Sequence, residues 1–92
     1  MTSIIPNTTF VIDSKVVYGN NQANSVVKVD IPSKPGYRPL CIAGYAGHMS
    51  ASSGVDIYEM RLDLNNNKIH VGWTKAVATN YGVTVFILYC PA

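Results

Sequence analysis

Three carboxylates in the segment VDIYEMRLDL, Asp56, Glu59 and Asp63, are the first candidates for chemistry. Glycoside hydrolysis needs such a pair, one group as acid and the other as base or nucleophile. Read as a strand, the segment puts Glu59 and Asp63 on one face, but they alternate with Arg61, and Lys75 falls close by in the expected hairpin. Those neighbours favour a solvated charged face over a catalytic pair. A zinc site takes three or four ligands at suitable spacing. His48, in a loop, and His70, on a strand face, are too few, and neither cysteine is near them in sequence. A metal site shared between subunits, each donating one histidine, stays open. The glycines at 44, 47, 54, 72 and 82 are dispersed and none opens a helix, so no phosphate loop is present, and no G-x-S-x-G elbow occurs. No catalytic residue, resident metal or cofactor is therefore assigned, and the chain reads as a non-enzyme.

Aromatics and amides are the richer set. Six tyrosines and one tryptophan in 92 residues offer flat rings with polar tips, the chemistry that stacks on sugars and anchors protein interfaces. Tyr45 and His48 lie in or beside the loop GHMSASSG, and Trp73, Asn80 and Tyr81 stand near the ends of the last hairpin. These five are the candidate receptor-binding residues, since loops carry function. Trp73 also continues the Ile69–Val71 face, which makes it a core candidate as well. Cys41 and Cys90 each sit in an apolar run and read as two buried free thiols, with a Cys41–Cys90 bridge as the alternative.

The elements that must position these residues are strands. Alternation dominates and helical periodicity is absent. Thr8–Asp13 and Lys15–Gly19 read as two short pieces broken at Asp13-Ser14, followed by the polar loop GNNQANS. SVVKVDI alternates with Val27, Val29 and Ile31 on one face. Pro35-Gly36 suits the centre of a type II turn. Leu40–Tyr45 is apolar on both faces. The long strand that follows is expected to turn Tyr58, Met60, Leu62 and Leu64 inward. Asn65–Asn67 tolerate the left-handed backbone of a hairpin, and KIHVGWTKA returns with Ile69, Val71 and Trp73 on one face. Seven short strands and no helix indicate one all-β domain over residues 1–92, an antiparallel β-sandwich or jelly-roll-like fold, with residues 1–9 as a lead-in or docking segment.

The last strand poses a packing problem. Val83, Val85, Ile87 and Tyr89 fall on one face and Thr84, Phe86, Leu88 and Cys90 on the other, so both faces are largely apolar. A chain this short hides only about 60–65% of its unfolded surface, and many such domains lean on a metal, disulfides or partners. Only 13% of the residues are charged, against about 25% in an ordinary soluble domain. Burial of each large side chain contributes about 1.5–3 kcal/mol, so a wet second face would forgo several kcal/mol. Cover must come from a second sheet or from other copies, and Thr84, Phe86 and Leu88 are the candidate oligomer interface.

The net charge of +2 is scattered singly, with no basic run to follow a phosphate backbone, so nucleic acid is not expected. The apolar run Val85–Leu88 is far short of the roughly 20 residues of a membrane-spanning helix, so membrane insertion is not expected either. MTSIIPNTTF lacks the basic and long apolar regions of a secretion signal and reads as a cytoplasmically made chain.

PGYRPLCIAGYAGH, a long amphipathic strand, then KIHVGWTKAVATNYGVTVFILYCPA resembles the C-terminal head domains of bacteriophage and prophage tail-fibre, receptor-binding proteins. The residues that match are Gly36, Tyr37, Pro39, Leu40, Ile42, Gly44, Tyr45, Val83, Val85, Ile87, Leu88 and Tyr89, and the likeness covers residues 25–92. Cys41 and Cys90 depart from the aliphatic or small residues of that pattern, and the long shaft usual before such heads is missing from these 92 residues. The resemblance implies a virion protein assembled in the host cytoplasm as a homotrimer. It would contact other virion proteins and a host cell-surface glycan or protein. A capsid decoration or head-fibre subunit and a lectin-like carbohydrate-binding module are the alternatives.

Overall fold

The computed structural model describes residues 9–48 and 56–92, and the expected lead-in segment falls almost wholly outside them. Six strands follow in chain order: β1 (Val11–Tyr18), β2 (Ser25–Asp30), β3 (Tyr37–His48), β4 (Ile57–Asp63), β5 (Lys68–Trp73) and β6 (Gly82–Pro91). They form two three-stranded antiparallel sheets, ordered β1–β6–β3 and β2–β5–β4. The count is six instead of the expected seven because Asp13-Ser14 does not break the first strand. Among the described residues β1 has β6 on one side only, and the Ser14 N–H is taken by the Asp13 carboxylate at 2.8 Å, so a turn-forming pair is held within an edge strand.

Local chemistry sets the turns. The Tyr37 N–H bonds the Lys34 carbonyl at 3.0 Å and Gly36 has φ 82, the type II turn that Pro35-Gly36 favours. Between β4 and β5 the chain reverses through Leu64–Asn67, with Asn67 at φ 58. Asp63 closes this turn, accepting the Asn66 side-chain amide at 2.8 Å and the Asn66 N–H at 3.3 Å. Leu64, expected inward, lies in the turn itself and is 55% exposed. Tyr58 also departs from its expected inward position. A register shift between Ile57 and Glu59 removes it from the alternation and leaves it half-exposed, lying over Gly72.

One buried cluster draws on both sheets. Val17, Val83, Val85, Ile87 and Tyr89 come from β1–β6–β3, Ile69, Val71 and Trp73 from β5, and Val77 from the β5–β6 connection. Partly buried Val27, Val29, Met60 and Leu62 complete the side that β2 and β4 present to it. Full burial of these β-branched and aromatic side chains is the principal stabilising term available to a chain of this size.

Candidate functional site

One end of β1–β6–β3 gathers most of the candidate receptor-binding residues. Gly82 pairs with Tyr18 on one side and with His48 on the other, and Asn80 and Tyr81 immediately precede it. Tyr45, three residues before His48, pairs with Val85 on the edge strand β3 and is 55% exposed. The His48 side chain and the loop that follows it lie outside the described residues. Trp73 does not belong to this group: it is fully buried, and the structure gives it no surface to offer a receptor. Its indole Nε1 has no hydrogen-bond partner among the described residues.

Two connections are tied together at this end. The Gly19 N–H bonds the Tyr81 carbonyl and the Asn21 N–H bonds the Val77 carbonyl, both at 2.8 Å. The Tyr81 N–H bonds Ala78 at 3.0 Å. Buried Val77 anchors the β5–β6 connection, and the backbone of that connection crosses so close to Gly19 that a Cβ there would collide with the Val77 carbonyl. Asn21 and Asn24 take positive φ, as the reversal after β1 requires. The result is a fixed display of exposed Tyr18, Tyr81 and Asn80, rings and amides that hydrogen-bond and stack without carrying charge. Tyr18 was not among the candidates in the sequence. Its parity with apolar Val16 hid a position beside the loop.

The two outer faces contrast sharply. On β2–β5–β4, cross-strand neighbours are polar and mostly charged: Lys28 and Arg61 flank His70 in one row, and Asp30, Lys68 and Asp63 form the next. His70 is almost fully buried although it points outward, because β5 is the central strand and both flanking strands cover it. Its Nδ1 lies 3.3 Å from Glu59 and its Nε2 3.4 Å from Asp63. The carboxylates thus stand at opposite ring nitrogens and do not converge with the ring on one metal, and no metal-binding group of three occurs among the described residues. Arg61 reaches Glu59 at 3.3 Å, as the charge alternation predicts. The Lys68 ammonium bonds Asp30 at 2.6 Å and holds that carboxyl below its usual range. Asp63 is likewise lowered, first by the Asn66 amide. No cavity lies among the described residues.

Three adjoining rows on the outer face of β1–β6–β3 carry no charge, and exposed Arg38, opposite Cys90, bounds them at one end. Opposed residues share a face, and these rows read Ile12–Leu88–Cys41, Ser14–Phe86–Gly44 and Val16–Thr84–Ala46. Ile12 is 59% exposed and Tyr18 54%, while Phe86, Leu88 and Val16 are half-buried. None of these residues carries charge. Neither cysteine is bonded; Cys90 is buried as expected, whereas Cys41 is exposed because it sits on this open face of an edge strand.

No known protein family, curated protein or solved structure matches the chain.

Proposed function

We propose that this chain is a non-enzymatic binding domain of the tail-fibre head kind, its two sheets packed as a jelly-roll-like sandwich. In this reading it assembles as a homotrimer on a virion and presents the Tyr18–Tyr81 end to a host-surface saccharide. The observation that carries the reading is the tied pair of connections at that end. Loops fixed by Gly19–Tyr81 and Asn21–Val77 backbone bonds hold aromatic rings and amides ready, so little ordering cost falls on binding. The resemblance of residues 25–92 to such heads supplies the biological setting.

A glycan array with the wild-type protein and with Tyr81→Ala and Tyr18→Ala tests it. The expected result is selective glycan binding that both substitutions weaken about five- to thirtyfold, with unfolding midpoints unchanged, as stacking contributions of about 1–2 kcal/mol would give. A wild-type protein that binds neither glycans nor host cells sinks the receptor reading. It would leave the capsid decoration or head-fibre reading, which the uncharged middle rows of the β1–β6–β3 face favour.

A further inference from the structure

We infer that β2 is a docking edge to which a second copy of this chain adds its own β2, antiparallel, with Val29 at the twofold axis and Lys28 opposite Asp30 of the other copy. The inference stands apart from the receptor and from the threefold assembly proposed above.

Backbone pairing shows which edge is open. Hydrogen-bonded pairs alternate along an antiparallel ladder. The Ile31 N–H bonds the Asn67 carbonyl at 3.1 Å, in line with the β2–β5 register, so the odd-numbered residues of β2 bond β5. Val26, Lys28 and Asp30 therefore turn their N–H and C=O groups outward, and among the described residues no strand lies beyond them. The other three edges are blunted by devices that hinder strand addition. On β1 the Asp13 carboxylate occupies the outward Ser14 N–H. On β3, Pro39 has no N–H to offer and two register shifts interrupt the edge. On β4 a register shift at Tyr58 leaves only Met60 and Leu62 outward in a regular stretch. β2 carries no proline and no register shift.

Charge selects the occupant. Lys28 and Asp30 are exposed on the same face of the sheet. Among the described residues Lys28 has no ion pair, and Lys68 takes only the Oδ1 oxygen of Asp30. Outward backbone groups must meet outward backbone groups, so even-numbered residues of one copy oppose even-numbered residues of the other. With Val29 on the axis, Lys28 faces Asp30 on both sides of it, and each such pair exchanges both of its backbone bonds. A slide of two residues either way sets Lys28 against Lys28 or Asp30 against Asp30, and like charges directly opposite are destabilising. A strand that complements itself about Val29 fits a second copy of this chain.

Sedimentation and amide exchange on the same samples test the pairing. The wild type at high micromolar concentration is expected to hold an even number of copies, as a dimer or as two joined trimers. Its Lys28 and Asp30 amides should exchange at least about tenfold more slowly there than after dilution that parts the copies, whereas Val27 and Val29, already bonded to β5, should change little. Lys28→Glu should raise the dissociation constant about tenfold, because two attractions become repulsions. Asp30→Lys should do the same, and the two variants mixed in equal amounts should pair with each other. Asp30→Lys also meets Lys68 within its own chain, so the wild-type amides decide the matter if that variant fails to fold. A monomeric wild type leaves the edge to a strand of some other protein and overturns the inference, as does an unchanged dissociation constant in Lys28→Glu. A trimer with fast Lys28 and Asp30 amides overturns it while upholding the threefold assembly. A dimer with slow ones upholds the pairing and removes the threefold assembly, and a hexamer with slow ones supports both.

Discussion

The Tyr89 hydroxyl donates a 2.6 Å hydrogen bond to the Pro32 carbonyl, fastening the central strand of one sheet to the connection that leaves β2 for β3. Tyr89→Phe keeps the buried ring and leaves that carbonyl without its donor. The expected loss is about 1–2 kcal/mol in urea unfolding. Burial, with a smaller contribution from Asp13, raises the hydroxyl above its ordinary value of 10.0. A raised acid binds its proton more tightly when folded, so the stabilisation is complete below about pH 10 and declines as pH climbs toward the folded value. The wild type should lose stability across that alkaline window, and Tyr89→Phe should lose less. Parallel curves would refute the assignment.

Gly19 and Gly44 make opposite predictions from one substitution. At Gly19 a methyl group would strike the Val77 carbonyl, backbone that cannot swing aside. Gly19→Ala should cost about 2–3 kcal/mol and loosen the Tyr81 end. Gly44→Ala meets open space and should change the thermal midpoint little, or raise it through lower unfolded-state entropy.

Asp63 should mark the acid limb. Its carboxyl is lowered chiefly by the Asn66 side-chain amide, opposed by desolvation and helped by the Asn66 N–H and the nearby His70 and Arg61. Such a group stabilises above its unfolded value of 3.8, and that contribution disappears as pH falls through the lower folded value. Asn66→Ala should therefore be less stable than wild type near neutrality, with the gap narrowing below about pH 4. Urea titrations across this range measure it, and a constant gap would show that Asn66 acts on the turn backbone instead.

Val77 is a core residue in a loop. It is fully buried, and Val77→Ala should cost about 2 kcal/mol while also weakening the Asn21 contact to its carbonyl. Equilibrium unfolding gives the first effect, and amide exchange at Asn21 gives the second. Unchanged Asn21 protection would mean that the connection holds without its anchor.

Local signals in the sequence were readable where one residue's chemistry decides the outcome. Pro35-Gly36 specified its turn, Asn67 its left-handed position, and alternation placed Ile69, Val71 and Trp73 on a buried face. Long-range pairing was not readable, because nothing in VFILYC says that its neighbours are Val11–Tyr18 and Tyr37–His48. His70 shows the cost of that gap. Its strand pattern reads as solvent-facing, and only the central place of β5 between β2 and β4 explains its burial. The register shift at Tyr58 and the passage of β1 unbroken through Asp13 and Ser14, which pair with Ile87 and Phe86, likewise depend on strands remote in the chain. The apolar second face of β6 was legible as a pattern, and the structure adds its breadth: β1 and β3 extend it on either side.

The place of β6 also fixes a sequence in time. β1 and β3 touch it and not each other, although both are synthesised long before residues 82–91 exist. During translation their edges stay open, and the same holds for β2 and β4 until β5 emerges. Sheets closed only by late, distant pairing form slowly and expose hydrophobic strands meanwhile. A ribosome stalled before Gly82 would thus carry a chain whose first sheet has its two sides and no middle.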